Sequence, residues 1–301
     1  MMSTKDTIIK LFDNYTLETT PKAAEKVPHF GERAGPETQI YVTFLPGSDF
    51  DGTLQVTKRI IDEGFTPIPH LAARSMPSKS FLEDKVKALA DLGVENVLCI
   101  AGGVKDPLGP FTDTMQLLDT GVLDAAGMRT IGVAGHPEGS PDMSDQAIWD
   151  AVRWKNEFNQ RTDADLYQVT QFAFEAGPII AWDKALRAAG STMPVYIGLP
   201  GLATIKTLLR FGLEAGVGPS ISFIKKQAMN VLKLMNVSTP SKQLVGIADY
   251  VATDPNSLIK GVHLYPLGGL KKTAGWAKAV KNGDFTMNSA GTDFEVDVEI
   301  G

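Results

Sequence analysis

The 301-residue chain predicts an α/β fold, a closed (β/α)8 barrel with extra helices between its seventh and eighth strands. Three observations carry the prediction. Eight short runs rich in β-branched and aromatic residues recur along the chain, most of them with consecutive apolar residues, as parallel strands covered on both sides require. Amphipathic helical stretches separate them, and alternation of β and α means a parallel sheet. Polar or glycine-rich residues then mark nearly every strand exit. An open doubly wound sheet shares the alternation. The count of eight and the spread of exit signals favour closure, and no G-x-G-x-x-G opens a helix after a strand.

The strand runs are NYTLET (14–19), QIYVTFL (39–45), TPIPHL (66–71), ENVLCIA (95–101), MRTIGVAG (128–135), LYQVTQFAF (166–174), MPVYIGL (193–199) and KGVHLYPL (260–267). The helix at 54–64 gathers Val56, Ile60 and Ile61 on one face. The helix at 81–93 gathers Leu82, Val86, Leu89 and Leu92 and stops at a glycine suited to a C-cap. Further helices are predicted near 112–126, 144–158, 178–190 and 203–216, with two more around 220–236 and 240–252. The end, 284–301, reads as an acidic tail or a short hairpin. No domain-sized linker interrupts the chain, so residues 1–301 are expected to form a single barrel domain.

Composition narrows the function. A net charge of −6 and a pI near 5.3, with no basic run, argue against nucleic acid or an anionic membrane as partner. The start lacks a signal-peptide core, and no apolar run reaches about 18 residues, so a cytoplasmic protein is expected. The single cysteine, Cys99, lies within an apolar run and reads as a buried thiol. The four histidines are scattered without metal-ligand spacing, and no G-x-S-x-G occurs.

In a barrel, chemistry gathers at the strand exits. Those positions hold Glu18, Thr43, His70, Gly102-Gly103, His136-Pro137-Glu138, Gln171, Gly198-Leu199-Pro200, and His263 with Tyr265. Glu18 reads either as a solvated loop acid or as a carboxylate facing a pocket. His70 reads either as a satisfied core histidine or as a ligand contact. Gln171 sits within a strand run, where an amide must find partners, and another amide-like edge such as a pterin would supply them. Backbone, amide, imidazole and one or two acids make a site that positions an organic cofactor or flat heterocycle.

The order of these signals resembles the methylenetetrahydrofolate reductase family. YTLETTPK (15–22), Val42-Thr43-Phe44, Pro69-His70-Leu71, His136-Pro137-Glu138, Val169-Thr170-Gln171-Phe172 and Val262-His263-Leu264-Tyr265 follow the family's landmarks in sequence. Gly198-Leu199-Pro200, and then a helix carrying Phe211, fit the same order. The resemblance implies a folate oxidoreductase of one-carbon metabolism and methionine biosynthesis. It would act on the 5,10-methylene- and 5-methyl-tetrahydrofolate couple with FAD at the strand exits and NAD(P)H or another electron partner. Glu18 would be catalytic and handle the proton. Thr43, His70, Gly102, Gly103, His136, Glu138 and Lys155 would hold the cofactor, and Gln171, Phe211 and Tyr265 the folate. No metal is implied, and there is room for a homo-oligomer. The likeness departs after the fourth strand, where the family's L-R-G-D is Ile100-Ala101-Gly102-Gly103 here. A flavin-independent reductase of the same couple and a non-catalytic folate-binding protein are the alternatives.

Overall fold

The computed structural model describes residues 2–214, 236–267 and 269–300. Its centre is a closed ring of eight parallel strands: β1 (Thr16–Thr19), β2 (Gln39–Val42), β3 (Thr66–Ala72), β4 (Asn96–Ile100), β5 (Thr130–Gly135), β6 (Asp165–Thr170), β7 (Val195–Pro200) and β8 (Ile259–Tyr265). Each pairs with its chain neighbour, and β8 pairs with β1 to close the barrel. All eight strand runs lie where the sequence predicts them.

The strands alternate between two environments, as a period of two requires. Leu17, Ile40, Val42, Val262 and Leu264 pack outward against helices in one cluster. Leu71, Val97, Cys99, Ile131 and Val133 do the same in another. Inside the barrel sit Tyr41, Ile68, Leu98 and Val169, with Tyr167 and Tyr196 against them. Three interior glycines make room for tyrosine rings from adjacent strands. A Cβ on Gly132 would lie 2.8 Å from the Tyr167 ring, one on Gly261 3.0 Å from Tyr196, and one on Gly198 2.8 Å from Tyr265. The Tyr41 and Tyr167 hydroxyls meet at 2.8 Å and satisfy each other within this packed interior.

Helices Phe50–Asp62, Lys79–Asp91, Asp145–Phe158, Ala176–Ala188 and Ile205–Glu214 occupy the predicted crossovers. Asp49, Ser78 and Ser144 cap the first three by accepting first-turn N–H groups. The helix expected near 112–126 is instead two short pieces, Thr114–Leu118 and Val122–Ala125. Gly121 between them has φ +71°, a left-handed turn that ends one piece before the next starts. Of the two extra helices, Ser241–Thr253 is present, while the 220–236 prediction, up to its last residue, lies outside the described residues. An unpredicted helix, Thr4–Leu11, packs against Ser241–Thr253 and Leu270–Asn282. The end of the chain forms a two-stranded antiparallel ribbon, Phe285–Met287 with Phe294–Val296. Among the described residues no helix is long and apolar enough to cross a membrane.

The interior glycines generate a contrast that can be measured. A Cβ at Gly198 would lie 2.3 Å from the Thr170 carbonyl and 2.9 Å from the Phe172 nitrogen, both backbone atoms that cannot step aside. Gly198→Ala should therefore lower unfolding free energy by about 1–3 kcal/mol in denaturant titration. At Gly103 the added methyl would meet only Pro46 Cγ at 3.5 Å, an ordinary contact. Gly103→Ala should stay within about 0.5 kcal/mol of the parent.

Candidate functional site

The C-terminal ends of the strands open on a cavity of about 400 Å³. Glu18, Thr43, His70, Gly102, Gly103, His136, Lys155, Gln171 and Tyr265 all line it, so nine sequence-nominated residues come together in one wall. Phe211 does not line it. Its helix carries it into a neighbouring cluster with Phe172, Phe174, Tyr265 and Leu267. Glu138 stands in the loop after β5, also outside the lining. A cavity of about 450 Å³ opens beside the β7 exit between Phe174, Gly201 and Gln243. It contains neither the buried histidines nor the buried lysine.

Glu18 is not a solvated loop acid. Its side chain is only 16% exposed and its Oε2 lies 3.6 Å from His263 Nε2. On its other side, His263 Nδ1 is 2.7 Å from the Thr16 hydroxyl, an internal contact between the strands that close the barrel. Burial works to raise the Glu18 pKa, but the His263 imidazole, and then that of His70, outweigh it and hold the carboxyl below its ordinary value. Tyr41 packs edge-on between the two imidazoles, 4.5 Å from His263 and 5.9 Å from His70 by ring centroid.

His70 is buried, yet neither ring nitrogen has a hydrogen-bond partner. It is thus no satisfied core histidine. Burial lowers its pKa to about 4, so the ring is neutral and keeps a donor and an acceptor uncommitted at the cavity wall. His136 is likewise lowered to about 4, by burial and then by the charge of Lys155. The Lys155 ammonium donates to the Ala134 carbonyl at 2.9 Å, and burial brings its pKa down to about 8. No carboxylate pairs with it among the described residues, which leaves a cation suited to an anionic ligand group.

Gln171 turns its Oε1 onto the Phe172 N–H at 3.0 Å, leaving the amide nitrogen to the cavity. Tyr265 contributes its ring, because its hydroxyl donates to the Thr170 carbonyl at 3.0 Å. Gly102 has φ +88°, and a Cβ there would come within 3.0 Å of Ala72 Cβ. Local backbone geometry therefore demands the first of the two glycines, whereas Gly103 has space around it. The sequence reading did not nominate Arg74, Asp113 and Trp182, which also line the cavity. Arg74 is the second residue past the end of β3, four after His70, so its position at an exit was a usable signal. Trp182 lies on helix Ala176–Ala188 and carried none. No group of three or more His, Cys, Asp or Glu poised for a metal occurs among the described residues.

The buried histidines predict how stability depends on pH. His70 binds its proton near pH 4 when folded and near 6.5 when unfolded, so the unfolded chain takes up protons first as pH falls. Its contribution is complete above pH 6.5 and is lost progressively toward pH 4, by at most about 3 kcal/mol. Denaturant unfolding of His70→Gln from pH 7 to 4 should show a shallower decline than the parent. Equal slopes would remove His70 from the acid response.

Comparison with known proteins adds the following. The family model for methylenetetrahydrofolate reductase matches residues 13–275. Methylenetetrahydrofolate reductase 2 of Saccharomyces cerevisiae is 25% identical over 158 residues, which cover 49% of this chain and 25% of that protein. Methylenetetrahydrofolate reductase 1 of Schizosaccharomyces pombe is 28% identical over 159 residues, with the same shares. The match thus spans about a quarter of the length of these curated relatives. Among solved structures, an uncharacterized protein from Clostridium thermocellum that binds two copies of 5-methyl-5,6,7,8-tetrahydrofolic acid shares the fold. Its TM-score is 0.60 at 13% identity, covering 93% of this chain and 99% of that one.

Proposed function

The chain belongs to the methylenetetrahydrofolate reductase family, and from that premise we propose that it interconverts 5,10-methylene- and 5-methyl-tetrahydrofolate, with FAD bound at the barrel mouth. The observation that carries the reading is the single cavity in which Glu18, held by His263, lies together with His70, Lys155 and Gln171. The fold neighbour's methyl-folate ligands support folate as the substrate class.

The residues present fit a flavin. His70 offers a neutral ring with both nitrogens free, Gly102 and Gly103 bring bare backbone to the wall, and Lys155 supplies a cation for phosphate. Thr43 and His136 complete the set that would hold it. When bound, the flavin would supply the hydride that the exocyclic folate carbon gains, or accept the one it loses. The chain's own residues do the rest. Glu18 exchanges the proton that N10 of the folate gains when the methylene bridge opens and loses when it closes. As a carboxylate in the free protein it is ready to accept one, the sense needed for methyl-folate oxidation. In the opposite sense it must be protonated first, and a planar ligand that excludes water strengthens its hold on the proton. The Gln171 amide nitrogen donates to the pterin, and the ring of Tyr265 flanks the folate, with Phe211 behind it in the adjoining cluster.

Absorbance and turnover of protein purified without added cofactor test this reading. A flavin spectrum with oxidation of 5-methyl-tetrahydrofolate by an artificial acceptor supports it. A colourless protein active with a dinucleotide supports the flavin-free reaction, and a colourless inactive one that binds folate supports a binding role. Absence of folate binding overturns all three.

Two substitutions separate chemistry from recognition. Glu18→Gln keeps size and hydrogen bonding but cannot transfer the proton, and should lower turnover by about 10²–10⁴-fold with little change in folate affinity. Gln171→Ala should weaken folate binding by about 1–3 kcal/mol while leaving the bound-state rate closer to that of the parent. Titration calorimetry alongside steady-state kinetics distinguishes the two patterns.

A further inference from the structure

Glu18 is surrounded by four titratable side chains from three strands. His263 and Tyr265 come from β8, His70 from β3, and Tyr41 is its register partner on β2. The two phenols are pushed well above their ordinary pKa, Tyr41 by burial and neighbouring tyrosines and Tyr265 by burial and the Glu18 charge. Neither releases a proton near neutrality. His70 is neutral there and hydrogen-bonds to nothing, so it does not fix the carboxylate. His263 alone is anchored on the far side from Glu18. Its Nδ1 lies 2.7 Å from Thr16 Oγ1, and both residues are almost fully buried. Tyr41 and Tyr265 abut it edge-on with centroids at 4.5 and 4.7 Å, so the ring has no room to turn over.

A carboxylate can only accept, so the His263 nitrogen facing Glu18 must carry hydrogen for the contact to be favourable. With the ring neutral, Nδ1 is then the acceptor and the Thr16 hydroxyl the donor. We propose that His263 is a positioning residue for Glu18, with Thr16 selecting the imidazole tautomer that directs Nε2–H at Glu18 Oε2 and leaves Oε1 for the reacting nitrogen. The arrangement does two things. It fixes which carboxylate oxygen meets substrate, and it opposes the rise in the Glu18 pKa that burial favours. Neither Thr16 nor His263 needs to touch the folate.

The inference rests on the proposed folate chemistry for its purpose, but its test does not. Protein carrying ¹³C-carboxyl glutamate gives a Glu18 resonance assignable by its loss in Glu18→Gln, and its titration can be followed without ligand. Thr16→Val keeps the shape of the side chain and removes the tautomer selection. His263→Gln retains an N–H donor without the ring, and His263→Leu removes the donor altogether. The Glu18 midpoint should rise in the order parent, His263→Gln, His263→Leu, the full rise being about one to three pH units, and Thr16→Val should raise it as well. In active protein the acid limb of the kcat/KM profile should move in the same order. Should His263→Leu fail to fold, Thr16→Val and His263→Gln carry the comparison. Coincident Glu18 midpoints in the parent and these two variants would overturn the inference. Shifted midpoints with no folate turnover would uphold it and sink the folate reading instead.

Discussion

Each of three interior glycines lies beneath a tyrosine ring from the next strand, and the rest of the molecule depends on that fit. Tyr167 over Gly132, Tyr196 over Gly261 and Tyr265 over Gly198 fill a barrel interior where two large side chains on facing positions would collide. Tyr41 and Tyr167, whose hydroxyls satisfy each other, pack with these rings below the mouth, so the cavity rests on a filled interior. Remove one ring and the groups above it regain hydration. The electrostatics of the site begin with this packing.

Burial acts on three titratable groups at the mouth, and each meets it differently. Glu18 gains an imidazole partner and stays ionised. His70 gains no partner and stays neutral. Lys155 gains only a backbone carbonyl, which shares its proton without neutralising its charge. A carboxylate, a neutral imidazole and a cation held ready at the wall cost stability in the empty protein, and a ligand that pairs with them relieves that cost on binding.

The strands were legible because their β-branched runs are long and their exits are punctuated, and the wall of the site followed from the exits. Phe211 was legible as a residue but not as a location, since its helix swings it into the Phe172–Phe174 cluster. The split of the 112–126 helix turned on the backbone sign at Gly121, which a helical period does not encode. The Thr16–His263 contact joins residues 247 positions apart and exists only because β8 returns to pair with β1. Strand-exit reasoning identifies which residues reach the mouth. Barrel closure decides which of them touch.

Cys99 sits on the outer face of β4 with no exposed surface, and burial raises its pKa far enough to keep it a thiol rather than a reactive thiolate. The protein is therefore silent toward alkylating reagents while it is folded. That silence turns any cysteine introduced at the surface into a unique handle. The loop after β4 offers a good position at Leu108, which is 64% exposed and whose N–H donates to the carbonyl of Arg74, a residue of the cavity lining. A fluorophore attached there would report occupancy of the mouth in real time, against a background that the fold itself keeps dark.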